Sequence, residues 1–590
     1  MNQIFDHKVH QTELCIVGAG LSGIAAALAA ARHGVKVVLI HDRPVPGGNS
    51  SSEIRMWVRG AGGQYRESGI IAELDLENIY RNPRMNWHLW DTVLYSKLRE
   101  EPNITLLFNC SVCDAETDGN RIVSVTGWQL TTYTRHTVKA TLFADCSGDG
   151  ILAPLTGAKQ MLGREDRTTF GEPMAPEKSD RKHMGMSCLI QARETDRPVR
   201  FIPPAWANRY PDESFLEGKK HDVVHSRINF WWIEVGGDTA DGVSDTEECR
   251  DKLLAHALGV WDHIKNHGDH GAENYELEWI GFLPGKRESR RFVGDYILTA
   301  NDLTVGTPFA DTVAYGGWTM DNHDPAGIHA KGYSSTHYPV HVPYAIPYRS
   351  LYSVNIENLF FAGRNISASH LAMSSTRVMA TCSLMGQAVG TAAAICIGKD
   401  LSPRGVYQTQ IGELQKKLMD DGCFLPGFRR TFSRGVTYSL DATRVAILQN
   451  GMERQLDGTD NYIVCSPDEP IEMTLAAAQD GAKLRMVFDP DFTRTTINPA
   501  GVKNPFSQNS HIRNNFESLK MPAHLVRSFE VVTKDADGQE LAHIRETENH
   551  SSLVQIPMPD RTASVRVRFL DTWGSKERNG EARLFACDII

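Results

Sequence analysis

The sequence has no long basic stripe: 62 Lys and Arg stand against 72 Asp and Glu, mixed along 590 residues, for a net charge of −10. Such a surface offers a polyanion little, so nucleic acid is not an expected partner. No stretch reads as apolar for the length of a membrane span, and Met1 to Gln11 is polar without an apolar leader. The expectation is a protein that neither enters a membrane nor is exported. Cysteine is sparse and scattered, eleven in all, with Cys15, Cys382 and Cys396 inside apolar runs. These read as reduced core thiols rather than a disulfide framework, which places the chain in the cytoplasm. Metal motifs are missing as well. No His-Glu-x-x-His and no Cys-His set with zinc spacing occurs, His267-Gly268-Asp269-His270 reads as a polar loop, and Cys110-x-x-Cys113 lies in a β segment short of the four thiolates a cluster needs. No metal is expected, and neither internal repeats nor low-complexity tracts are seen.

What is present begins at Leu14. An apolar run, Leu14 to Val17, feeds Gly18-Ala19-Gly20-Leu21-Ser22-Gly23, then an alanine-rich helix from Ile24 to His33 closed by Gly34, then a second apolar run from Val35 to Ile40. Gly18 permits the tight turn, Gly20 lets a pyrophosphate approach the backbone, and Gly23 lets helix and strand pack closely. The helix N-terminus beside Ser22 offers N–H donors to phosphate. This strand-helix-strand unit is built for a dinucleotide. Folds of this kind usually end the second strand on an acid that takes the ribose hydroxyls. Here the register holds His41, with Asp42 one step later, so either a neutral imidazole accepts or Asp42 reaches back.

The following loop, Arg43-Pro44-Val45-Pro46-Gly47-Gly48-Asn49-Ser50, resembles the flavoprotein loop that runs under the pyrophosphate towards the flavin ring. That favours FAD over a nicotinamide cofactor. No second strand–G-x-G-x-x-G–helix occurs after residue 50, so no NAD(P)H site is expected. Residues 101 to 150 read as a β meander, Ile104 to Phe108, Ile122 to Trp128 and Gln129 to Val138, closing on Phe143-Ala144-Asp145-Cys146-Ser147-Gly148-Asp149. A strand ending on Gly363, Asn358 to Asn365, and a helix from Thr376 to Ile397 return late in the chain. Beyond a helical stretch, Tyr407 to Asp420, the period changes to two: Val445 to Leu448, Ile471 to Leu475, Leu484 to Phe488, Phe529 to Thr533, Ala563 to Phe569 and Ala582 to Cys587 read as strands.

Together these pieces resemble the FAD-dependent oxidoreductase family, related to the flavin domains of succinate dehydrogenase and heterodisulfide reductase. The resemblance is carried by the Gly18 to Gly23 turn, RPVPGGNSSSEIRM (Arg43 to Met56), GKRESRRFVGDY (Gly285 to Tyr296), IPYRSL (Ile346 to Leu351) and NLFFAGRNISASHLAMSSTRVMATCSLMGQAVGTAAA (Asn358 to Ala394). It spans most of residues 10 to 400. It implies an α/β architecture: a Rossmann-like FAD-binding domain in two parts, 1–160 and 351–400, and an inserted α+β substrate domain, 161–350. A helical linker, 401–430, and a C-terminal β-sandwich, 431–590, complete the chain. It also implies Val112 beside the adenine, Gly148 near the ribitol, and Gly363, Arg364 and Arg377 on the flavin side.

For chemistry, Arg55 follows the glycine loop and is read as holding the pyrophosphate or an anionic substrate group, or else as a surface ion pair. Arg287-Glu288-Ser289-Arg290-Arg291 is either a solvated face or part of the site; the family match favours the site, with Arg290 facing substrate. His370 is the first choice of general base because it precedes the flavin-facing helix, and His323 the second. Arg349 and Arg377 are read as holding a carboxylate or an oxyanion. Six middle-domain tryptophans, Trp206, Trp231, Trp232, Trp261, Trp279 and Trp318, offer flat faces to pyranose rings. The expected activity is oxidation of a sugar or sugar-acid carbinol by hydride transfer to flavin, with a small-molecule substrate and a separate electron acceptor. The competing readings are an electron-transfer flavoprotein subunit docked to a redox partner, and an RNA-modifying flavoprotein, which the acidic balance opposes.

Overall fold

The computed structural model describes residues 5–219, 221, 230–238, 241–432, 435–477, 481–492, 518–574 and 581–590. They divide into two compact units, one of residues 5–61 and 84–414, the other of 62–83, 415–492 and 518–590.

The first unit is laid on a seven-stranded sheet. Its strand β1 (Asp6–Val17) leads through the glycine turn into helix α1 (Leu21–Arg32) and strand β2 (Val37–Ile40). Strands β3 (Ile104–Leu107), β4 (Cys110–Asp118), β5 (Arg121–Gln129) and β6 (Thr134–Asp145) follow. The order is β3-β2-β1-β6-β5-β4, and β1 runs parallel to β2 and β6 while β4, β5 and β6 form an antiparallel meander. The strand expected at Gln129 to Val138 begins instead at Thr134, after a turn at 130–133, and reaches Asp145, and the expected meander strand at Ile104 pairs parallel with β2. Burial explains the parallel part: Leu14 to Val17 and Val37 to Ile40 are covered on both faces, as apolar runs without alternation require.

The inserted stretch builds several small antiparallel sheets around helix α2 (Thr246–Asn266), whose Leu253, Ala257, Val260 and Trp261 sit in an apolar core. The chain returns with β7 (Leu359–Phe361), parallel to β6, then α3 (His370–Thr376) and α4 (Met379–Lys399). The single helix expected from Thr376 is therefore broken at Arg377 and Val378. Contrary to the expectation that nothing reaches membrane-span length, α4 is long and apolar enough by composition, yet 89% of its most apolar window is buried inside the unit. Its small residues explain that position. A Cβ on Gly386 would stand 2.0 Å from Ser22 O, and one on Gly390 2.2 Å from Ala26 O, so α4 lies backbone to backbone on α1. A Gly386→Ala change gains about 1 kcal/mol of helix propensity but forces two backbones apart, an overpacking cost of about 3 kcal/mol. The expected result is a lower thermal midpoint, read by circular dichroism.

In the second unit a five-stranded antiparallel sheet (Val436–Tyr438, Ile471–Leu475, Ser564–Thr572, Val526–Lys534, Glu540–Glu546) and a four-stranded one (Ile463–Cys465, Ala582–Ile589, Lys483–Phe488, Leu553–Pro557) face each other. Phe488 reaches across to Phe529 and Phe569, at ring distances of 6.0 and 5.8 Å. The expected strand at Val445 to Leu448 is instead the end of a helix, Ala442–Leu448, capped by Asp441, whose carboxylate accepts from the amides of Thr443 and Arg444. The helix Ile70–Arg81 belongs to this unit: Tyr80 stacks on His550 at 4.2 Å, and Glu77 Oε2 is 3.0 Å from His550 Nε2.

Candidate functional site

In the first unit a cleft of about 680 Å³ runs along the carboxyl ends of the parallel strands. Open α/β sheets bind ligands there, because loops diverge where strands stop. Gly18, Gly20, Ser22, His41, Asp42, Arg43, Gly47, Gly48, Asn49, Val112, Gly148, Gly363, Arg364 and Arg377 all line it, as do His323 and Arg290. Gly18 takes φ +102°, and a Cβ there would sit 2.4 Å from Cys146 O, so only glycine makes this turn. Gly20 differs: its backbone is ordinary, at φ −67°, and nothing lies within 4 Å of where its Cβ would be. That space above the start of α1 is a cradle for phosphate. Arg43 Nη1 and Arg364 Nε point buried donors without an acceptor among the described residues. An unpaired buried donor is costly, and a pyrophosphate would supply the acceptors.

His41 is engaged within the protein. Its Nδ1 accepts from the Ala19 amide at 3.2 Å and its Nε2–H donates to Val45 O at 3.1 Å, so both ring nitrogens are used. Burial pushes its pKa down to about 4, keeping the ring neutral. The imidazole organises the glycine turn, and the exposed Asp42 carboxylate stands beside it on the cleft. On the opposite wall Asp149 accepts from Lys286 Nζ and Arg364 Nη2, both at 2.7 Å. Burial works against this carboxylate, but the two cations hold its pKa below the usual range. A Cβ on Gly148 would run into the Arg364 guanidinium at 2.5 Å. Val378 and Met379, at the start of α4, close this end.

Several expected residues stand elsewhere. Gly23 is inside the helix–strand contact, its missing Cβ 1.8 Å from Gly18 O, and does not line the cleft. Ser50 is wholly buried, donating to Gly47 O and accepting from Trp90 Nε1, so it braces the glycine loop. Arg55, held at φ 62°, turns away from the cleft: Nη1 donates to Gln191 Oε1 at 2.8 Å and the guanidinium lies 4.4 Å over Trp279. Arg349 is tied to Asp311 through Nε and Nη2 and leans on Tyr296 and Tyr407. His370, the preferred base, is 3% exposed and does not line the cleft; Nδ1 binds Glu288 Oε1 at 2.9 Å and Nε2 binds Asn322 Oδ1 at 3.1 Å. With both nitrogens occupied it has no lone pair for a substrate. Of the six tryptophans only Trp231 and Trp318 face the cleft, since Trp232 and Trp261 fill the inserted core, Trp206 is exposed and Trp279 lies under Arg55.

His323 is placed differently. Its Nδ1 is 2.8 Å from Oε2 of the fully buried Glu234, and its Nε2 faces the cleft 3.4 Å from Asp321 Oδ2. A carboxylate on Nδ1 fixes that nitrogen as a donor, and Nε2, beside Asp321, is the nitrogen able to exchange a proton with a ligand in the cleft. Asp321 also receives Arg377 Nη2 at 3.4 Å, and burial of this acid is outweighed by His323, Arg377 and His337, so it stays ionised well below the usual range. Its Oδ1 has no hydrogen-bond partner among the described residues, and Arg377 Nε has none either. Arg59 was not foreseen. Its guanidinium rests 4.7 Å over Trp57 and 5.8 Å over Trp318 on the cleft wall, with no hydrogen bond or ion pair to a described side chain, and burial lowers its pKa to about 10. The signal available was its position, four residues beyond Arg55 on the same loop.

Residues 13–418 match the family model described as FAD dependent oxidoreductase. The chain belongs to that family. Its members' cofactor, FAD, is what the cleft is shaped to hold. Among solved structures, the anhydrotetracycline hydroxylase OxyS from Streptomyces rimosus is 11% identical over 70% of this chain and 66% of that chain, with a TM-score of 0.31. Quinol fumarate reductase from E. coli is 12% identical over 70% and 75%, TM-score 0.26. A geranylgeranyl bacteriochlorophyll reductase-like protein from Thermoplasma acidophilum is 11% identical over 70% and 86%, TM-score 0.31. No curated protein matches the sequence.

Proposed function

We propose that this FAD-dependent oxidoreductase oxidises a carbinol of a small polyhydroxylated substrate, a sugar or sugar acid, and passes the electrons to a separate acceptor. The observation that carries the reading is His323: a buried imidazole held by Glu234 with Nε2 turned into the FAD cleft. When bound, FAD supplies a two-electron, hydride-accepting centre. The protein's part is to take the hydroxyl proton at His323 Nε2, with Glu234 steadying the imidazolium that results. Trp231 and Trp318 provide flat faces for a ring, and Asp321 Oδ1, 3.6 Å from His337 Nε2 and without a hydrogen-bond partner among the described residues, is the acceptor for a hydroxyl. Arg59, whose guanidinium stacks on Trp57 and has no hydrogen bond or ion pair among the described residues, suits a substrate carboxylate.

Anaerobic mixing of the holoenzyme with sugars, uronic acids and non-carbohydrate hydroxy acids tests the reading. Bleaching of the flavin by a sugar or sugar acid supports it, and bleaching by non-carbohydrate acids alone refutes it. For an acidic substrate, Arg59→Ala is expected to raise KM roughly 10- to 100-fold with kcat nearly unchanged, since a charge-assisted contact made equally in ground and transition states is lost. A neutral sugar should show no such change.

A further inference from the structure

Away from the cleft, four side chains from separate stretches converge in the inserted region. Glu213 lies on the short turn Glu213–Phe215, His221 stands eight residues on, His263 is in the last turn of α2, and His270 follows that helix. Their ligand atoms all lie within 4.8 Å of one another. Glu213 Oε2 is 3.0 Å from His221 Nε2, and Oε1 is 3.3 Å from both His263 Nε2 and His270 Nε2. The last two nitrogens are 3.1 Å apart. Nitrogens bound tetrahedrally to zinc at about 2.0 Å stand about 3.3 Å from each other, so the gap has the size of a metal site.

The protons point the same way. His221 Nδ1 is 2.5 Å from Lys219 O and His263 Nδ1 is 2.7 Å from Tyr210 O. A carbonyl can only accept, so both rings carry a proton on Nδ1 and turn Nε2, the nitrogen a metal would take, towards the carboxylate. This is the outer-shell arrangement that prepares imidazoles for a metal. Three imidazole nitrogens and a carboxylate oxygen turned on one point are a donor set that a divalent cation takes. His263 is fully buried and His221 and His270 are about nine-tenths buried, while Glu213 is 61% exposed, so the ligands are walled in on three sides with one open route of entry.

We propose that Glu213, His221, His263 and His270 bind one zinc-class divalent ion. Three imidazoles and a carboxylate without thiolate suit Zn²⁺, and four protein ligands make a closed, structural site. None of the four lines the FAD cleft, so the ion's role is to tie Glu213 and His221 to α2 and the loop after it. Sequence spacing hides the set, because the ligands divide into Glu213 with His221 and His263 with His270, some forty residues apart.

The test uses the flavin-loaded full chain, stripped with a chelator and titrated with Zn²⁺ or Co²⁺ alone. The expected results are one ion per chain, the intense visible bands of four-coordinate Co²⁺, and a raised thermal midpoint with zinc while the flavin spectrum is unchanged. Glu213→Gln, at an exposed position the fold tolerates, and His270→Ala should each weaken zinc at least about tenfold. His267→Ala, whose ring is 3.3 Å from Asp262 instead, should not. Absence of stoichiometric uptake, a six-coordinate Co²⁺ spectrum, or uptake unaffected by Glu213→Gln and His270→Ala overturns the proposal.

Discussion

Replacing His323 with Gln is expected to slow flavin reduction by substrate by about a hundred- to ten-thousandfold while FAD stays bound. The reason is that hydride cannot leave a carbinol carbon unless its hydroxyl proton goes elsewhere, and His323 lines the cleft with Nδ1 anchored on Glu234 and Nε2, 3.4 Å from Asp321 Oδ2, as the nitrogen proposed to take it. Glutamine keeps the bulk and a hydrogen bond to Glu234 but has no basic lone pair. Glu234→Gln should lose part of the same factor, since it leaves the imidazolium unsupported. His370→Ala is the contrasting variant: it leaves the buried Glu288 carboxylate with only the Met184 amide and Arg291, so it should lower stability while the substrate still reduces the flavin near the wild-type rate per folded molecule. Stopped-flow absorbance under anaerobic conditions reads all three. Full rates in His323→Gln would remove the base from the mechanism.

Gly20→Val should give folded, colourless protein. Its backbone dihedrals suit any residue and its absent Cβ meets no protein atom within 4 Å, so the fold loses only the modest cost of a poorer helix cap. The two methyls instead fill the cradle where a pyrophosphate must approach the first turn of α1. Gly18→Val is the counterpart and should not fold, because at φ +102° its side chain would meet Cys146 O. The pair separates a glycine needed by the cofactor from one needed by the chain. Flavin absorbance and a thermal melt on each variant check this, and a yellow Gly20→Val protein with full stoichiometry would count against the assignment of the turn.

Which features could be read from sequence follows the range of the interactions. The turn from Gly18 to Ser22, the loop Gly47 to Asn49 and the strand ending on Gly363 are local, and each stands on the cleft. His41 was ambiguous because the partners that use up its nitrogens, Ala19 and Val45, are set by tertiary contact. His370 and His323 looked alike along the chain. What separates them is Asn322 and Glu288 around one ring and Glu234, 89 residues distant, on the other. Val445 to Leu448 illustrates a different failure. Four apolar residues fit a strand or the end of a helix equally, and Asp441 capping the amides of Thr443 and Arg444 decides for the helix. The α4 helix was underrated as an apolar span because its hydrophobicity is diluted among glycines and alanines that exist to meet α1.

The membership of residues 62–83 in the second unit bears on how the chain is made. The helix Ile70–Arg81 emerges from the ribosome early, with Ile70, Ile71, Leu74 and Ile79 waiting to be covered, but its partners are near the other end: Gly422, whose carbonyl takes the Gly69 amide, and His550 against Tyr80. At about 5 to 20 residues per second, synthesis of the intervening chain takes roughly 25 to 100 s. During that time an apolar helix is unsatisfied, and a nascent chain stalled or cut before the sandwich is complete exposes it to chaperones and proteases. For the same reason no single cleavage point separates the two units: a fragment begun after residue 414 lacks one of its own helices.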